Sequence, residues 1–233
     1  MQLTTHDRAF YGRWILANGW SEAMGLGTTF GLGTLIGSQL DRIAGLAAAL
    51  IAAAVAVLFG TLLEGVLVGY AQESVLRTRL SSLRRRRWIL ATAIGAGLAW
   101  LLGMIPSTIM TLQAPEAAAA PAAEPPALLR YALAVVMGAV AGPVLGVAQW
   151  TVLRRHVRHA ARWLWANAAA WAVGMPLVFL GMDFVPWDGP RPLVFVTLYV
   201  VCGIAGLVVG AVHGRVLVRL VAEAAPMPTS TTA

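Results

Sequence analysis

Long apolar runs separated by short polar breaks fill this chain, and six of them reach the roughly 20 residues that a helix needs to cross a bilayer. They are predicted near 12–38, 43–72, 88–112, 127–152, 163–186 and 193–217. The polar breaks are not random. The pair Arg-Trp opens alternate runs, at Arg13-Trp14, Arg87-Trp88 and Arg162-Trp163, with spacings of 74 and 75 residues. Each pair is followed by an alanine (Ala17, Ala91, Ala166) and then a small polar residue (Asn18, Thr92, Asn167). A second pattern lies in the even runs: Gly65, Gly69, Gln72, Val75 and Leu76 recur as Gly142, Gly146, Gln149, Val152 and Leu153. It returns as Gly206, Gly210, His213, Val216 and Leu217.

One two-helix unit written three times, over about 13–77, 87–154 and 162–218, accounts for both patterns. The expected fold is all-α: a polytopic membrane protein of six transmembrane helices, arranged as three repeated hairpins with approximate threefold pseudo-symmetry. A single membrane domain is expected over residues 1–221, with an external Ala/Pro linker at 114–126 and a polar, disordered tail at 222–233.

Glycines four residues apart put small groups on one helix face and let backbones approach closely. They occur as Gly27/Gly31, Gly33/Gly37 and Gly65/Gly69, and as the longer series Gly138/Gly142/Gly146 and Gly206/Gly210/Gly214. Pro143 is expected to kink the fourth helix. Asn18, Thr92 and Asn167 start the odd helices at the depth where Gln72, Gln149 and His213 end the even ones. Hydrogen bonds between these helix-packing residues are therefore expected, forming a polar ring that serves either as interhelical glue or as a vestibule. Trp14, Trp88 and Trp163 follow arginines and read as anchors at the membrane interface.

Composition supports the membrane assignment, because only 12% of residues are charged and 59% are hydrophobic, against about 25% charged in a soluble domain. The net charge of +7 does not point to nucleic acid, since no soluble domain is present to carry a basic face. Position is more informative than sum. With both termini on one side, 14 of the 17 arginines gather there, leaving Arg42, Arg130 and Arg191 opposite. The expectation is a multi-pass protein of a bacterial cytoplasmic (inner) membrane with both termini in the cytoplasm. The N-terminus does not read as a cleavable signal. The cluster Arg84, Arg85, Arg86 and Arg87 fixes topology and could also hold anionic lipid headgroups.

Two carboxylates depart from the repeat. Glu22 sits about 13 Å and Glu64 about 20 Å into the membrane, counted from Arg13 and Arg77 at the helical rise. Their counterparts are uncharged: Ala96 and Trp171 for Glu22, Ala141 and Ala205 for Glu64. Such intramembrane acids are costly and suggest function. Asn18, Glu22, Gly25, Thr29 and Gly33 share a helix face, which directs Glu22 into the bundle. It is then either a protonated acid donating to a carbonyl or to Asn18, or a member of a proton or cation pathway with Glu64. Glu73 is expected to pair with a loop arginine.

Catalytic signatures are missing: the chain has no His-Glu-x-x-His, Gly-x-Ser-x-Gly or Cys-x-x-Cys. No catalytic residue, metal ligand set or cofactor is expected. Cys202, the single cysteine, reads as a small hydrophobe. His213 could ligate a pigment or haem, though the glutamines at its equivalent positions favour a packing role.

Gly142, Gly146, Gln149 and Val152 to Arg154, followed by Arg162, Trp163, Ala166 and Asn167, resemble a group of uncharacterised multi-pass bacterial membrane proteins. His213 and Thr92 depart from that pattern. The resemblance implies the fold and no activity. The leading functional expectation is a non-enzymatic accessory or scaffold protein packing with itself or with other membrane proteins. The alternatives are a small-solute, ion or proton-coupled carrier or channel using Glu22 and Glu64, and pigment or haem binding at His213.

Overall fold

The computed structural model describes residues 4–40, 46–113 and 126–224. Within them every regular element is helical: α1 (Thr5–Leu40), α2 (Leu46–Phe59), α3 (Val66–Leu76), α4 (Arg85–Gln113), α5 (Ala127–Leu153), α6 (Arg162–Met182) and α7 (Arg191–Ala224). A π-helical segment, Gly60–Gly65, joins α2 to α3 without a break, so these three form one rod. The tail beyond Ala224, and the linker apart from Pro126, lie outside the described residues.

Five of the six rods are long and apolar enough to cross a membrane: Ala47–Leu76, Arg85–Ile105, Ala127–Leu153, Arg162–Met182 and Arg191–Glu223. The sixth, α1, has length to spare at 36 residues, but it is not among the five. Thr28, Thr29, Thr34, Ser38 and Gln39, together with its glycines, dilute the apolar content of its second half. The helices α5 and α6 run unbroken through Pro143 and Pro176.

Packing order is cyclic. The rod α2–α3 lies between α1 and α4, α5 lies between α4 and α6, and α7 lies between α6 and α1. The closest approaches occur where a glycine meets backbone. A Cβ placed on Gly65 would come 2.7 Å from Ala93 Cα, and one on Gly206 would come 2.6 Å from the Asn18 carbonyl oxygen. Gly142 lies directly against the Asn167 carbonyl. Gly33 and Gly37, by contrast, have nothing within 4 Å of such a Cβ and serve no close contact.

At the arginine-rich end, the helix ends and loops are tied together. Thr4 caps α1 through reciprocal bonds with Asp7: the Thr4 hydroxyl donates to Oδ2 at 2.7 Å, and the Asp7 amide donates to Thr4 Oγ1 at 3.2 Å. Asp7 also pairs with Arg79 of the α3–α4 loop at 3.1 Å. The Thr4 hydroxyl first, then the Thr4 amide and Arg79, hold the Asp7 carboxyl below its ordinary value, against the opposing effect of burial. Ser82 Oγ lies 3.1 Å from His156 Nδ1, which joins the α3–α4 and α5–α6 loops. Glu73 is fully buried at this end; Arg85 Nε donates to it at 2.9 Å, and Arg77 lies 3.7 Å away. Beneath these polar ties lies the main core, built from Phe10, Leu76, Leu80, Leu83, Leu153, Val157, Leu217 and Leu220 around three tryptophans.

Candidate functional site: a sealed polar layer below a cavity with a buried acid

Trp14, Trp88 and Trp163 are each 0% exposed. This corrects their reading as interface anchors, which would keep each indole partly among lipid headgroups. The arginine preceding each one is exposed, but the indole itself turns inward. Trp14 and Trp163 meet edge to face at 6.0 Å, and the His213 ring lies 5.5 Å from the first and 5.0 Å from the second.

The polar residues of the layer form a connected chain. Gln149 uses both amide hydrogens, donating to Gln72 Oε1 at 2.8 Å and to Thr92 Oγ1 at 3.0 Å. Its carbonyl accepts from Trp163 Nε1 at 2.9 Å. Gln72 Nε2 donates in turn to Asn18 Oδ1 at 2.8 Å. His213 joins through Trp14, whose Nε1 donates to His213 Nδ1 at 3.0 Å. Asn167 bonds within its own helix, donating to the Trp163 carbonyl at 2.9 Å, as Asn18 does to the Trp14 carbonyl at 2.8 Å. Four of the six expected polar residues are therefore linked directly to one another, while His213 is held through an indole. Every rod contributes a side chain, and all six residues are at most 2% exposed. One donor of this layer is left over: Trp88 Nε1 is buried without a hydrogen-bond partner among the described residues.

Beyond this layer, away from the arginine-rich end, is a half-open cavity of about 250 Å³. Its wall is apolar and aromatic, with Phe30, Trp100, Trp171 and Phe179 prominent, and Glu64 is the one carboxylate on it. Ala96, Trp171 and Ala141 also line it, so three of the four uncharged counterparts of the two acids border the same space. Glu64 sits on the π-helical segment, a geometry that is uncommon in proteins and frequent at functional sites. Trp100 Nε1 donates to Glu64 Oε2 at 2.7 Å, and the indole packs on Gly60, where a side chain would collide with it. Glu64 Oε1 has no hydrogen-bond partner among the described residues.

Glu22 lies on the facing turn of α1 and is 3% exposed. Gly25, one turn along, touches the Glu64 backbone, with 2.7 Å between its notional Cβ and Glu64 Cα. No hydrogen bond joins Glu22 to Asn18, one of the two partners expected for it. Asn18 spends its amide on Trp14 and Gln72, and Glu22 Oε2 is buried without a hydrogen bond among the described residues. Sequence reasoning missed both the π-helix and Trp100. A depth signal for the second was present: Glu64 stands thirteen residues before Arg77, and Trp100 thirteen after Arg87.

Of the remaining residues singled out, Arg85 is committed to Glu73, while Arg84 and Arg87 face a groove between α4 and α5. Cys202 is buried beside Leu26, Val178 and Ala205. No group of three or more potential metal ligands occurs among the described residues. Comparison of the chain with family models, curated proteins and solved structures gives no match.

Proposed function

We propose that this chain is a non-enzymatic carrier or receptor of the bacterial inner membrane that binds a small apolar cation in the cavity at Glu64. The observation carrying the reading is one free carboxylate oxygen on an otherwise apolar, aromatic wall. An acid at membrane depth bears the transfer cost of its charge, which a ligand or ion paired with it offsets. Aromatic faces around it add the attraction of a ring quadrupole for a cation. Glu22, buried on the adjacent turn without a partner, places a second acid within electrostatic reach. That pairing supports a site whose occupancy is linked to protons or cations.

The architecture belonging to this proposal is six spans in three hairpins about an approximate threefold axis. In its support, α1 runs along α7 with Glu22 and Asn18 buried, despite its lower apolarity. The glycines of each even helix press on the odd helix of the next unit. Gathering 14 of 17 arginines at one end favours cytoplasmic termini.

The test is binding of phenyltrimethylammonium and its neutral isostere tert-butylbenzene to the purified protein, followed by quenching of tryptophan fluorescence. The cation is expected to bind more tightly, and Glu64→Gln to weaken the cation alone, by about tenfold or more for the loss of one charge contact. Equal binding of both compounds, or the same affinity in Glu64→Gln, would overturn the assignment. A second reading, an accessory or scaffold protein, draws on the tryptophan-sealed layer, whose polar groups are spent on packing. A pigment or haem at His213 would have to displace Trp14 from Nδ1 and push the Trp14 and Trp163 rings aside, which weighs against that site.

A further inference from the structure

We propose that the groove between α4 and α5 at the arginine-rich end is a binding site for one anionic phospholipid. The groove measures about 650 Å³, and three arginines stand at its mouth: Arg84 at the end of the α3–α4 loop, Arg87 in the first turn of α4, and Arg155 from the α5–α6 loop. All three are exposed, and none has a carboxylate partner among the described residues. The contrast with Arg85 is informative. That side chain turns the other way, pairs with buried Glu73 and covers the Tyr70 ring, so the run of four arginines divides into structural and unengaged members.

Below the arginines the wall turns apolar along the helix axes, through Leu90, Ala91 and Ile94 on one side and Ala148 and Val152 on the other. Leu90 is 48% and Ile94 57% exposed, in the direction in which the bilayer would lie. Cations at the headgroup boundary over a hydrocarbon-facing strip match a phosphodiester with acyl chains, and three unpaired guanidiniums match its negative charge. Ser82 and Thr151 add hydroxyl oxygens at the rim, and the contact between Ser82 and His156 closes its outer side. This site lies at the opposite end from the Glu64 cavity and does not depend on it.

The experiment uses the full chain in a mild detergent, titrated with phosphatidylglycerol or phosphatidylcholine and read by native mass spectrometry and thermal stability. One tightly held phosphatidylglycerol is expected, with phosphatidylcholine at least tenfold weaker. Replacing Arg84, Arg87 and Arg155 by Gln should weaken that lipid roughly a hundredfold. Replacing Arg8, Arg86 and Arg158 by Gln, an equal loss of charge away from the groove, should leave it in place. Equal losses in the two triple variants would overturn the site in favour of diffuse surface charge. So would equal binding of the two lipids. Competition by inorganic phosphate or glycerophosphoglycerol at concentrations matching the lipid would also overturn it, in favour of a free-phosphate site. If the groove triple fails to fold, Arg155→Gln alone, compared with Arg158→Gln, carries the same test.

Discussion

Trp14, Trp88 and Trp163 occupy repeated positions and are equally buried, yet among the described residues only two of them donate a hydrogen bond. Trp163 gives its indole hydrogen to Gln149 and Trp14 to His213. The residue corresponding to those acceptors for Trp88 is Gln72, whose carbonyl accepts from Gln149, while Trp88 Nε1 has no partner among the described residues. Replacing each tryptophan by Phe removes similar volume, so differences among the three report the bond. Trp14→Phe and Trp163→Phe should each cost about 1 kcal/mol more than Trp88→Phe, read from reversible unfolding in detergent. Equal costs would show that the bonds contribute little. His156 offers a second check, outside the apolar spans. Burial first, and neighbouring Arg155 second, lower its pKa from 6.5. A base depressed in the folded state lends stability that is complete above its unfolded value and is lost as pH falls through the folded one. Melting temperature should therefore decline below about pH 6.5, from the ordinary imidazole value, and His156→Gln should flatten that decline.

Helices were the easiest feature to read, because apolar runs of this length allow little else. What the runs concealed was their interior. The π-helical turn at Gly60–Gly65 gives no hydropathy signal, since it changes the hydrogen-bond register while leaving the residues apolar. Inward-turned tryptophans look the same in sequence as headgroup anchors, because an arginine precedes both. Repeated glycines were informative only where a partner helix arrived: Gly142 meets Asn167, while Gly33 and Gly37 meet nothing. Gly142→Val should accordingly destabilise the α5–α6 pair by about 1–3 kcal/mol through overpacking. Gly33→Val on α1 should be tolerated. Thermal melts of the two variants check the contrast, and similar losses in both would detach α5–α6 packing from Gly142.

For the molecule as a whole, the division of labour runs along the helix axes. One half is closed by indoles, amides and a tight apolar core, and the other opens around Glu64. The sequence showed which residues depart from the repeat, Glu22 and Glu64, but not that three of their four counterparts would line one space. Cavities arise from which helices fail to touch, and that is set by the cyclic packing order rather than by any one residue. Cysteine accessibility addresses this division directly, in sealed membrane vesicles of both orientations, on a Cys202→Ala background, with a membrane-impermeant maleimide. Met104→Cys, on the cavity wall, should label from the face opposite the arginine-rich end only, and Thr92→Cys, within the polar layer, from neither face. Labelling of Thr92→Cys from the arginine-rich face, or of Met104→Cys from that face, would contradict a bundle sealed at that end.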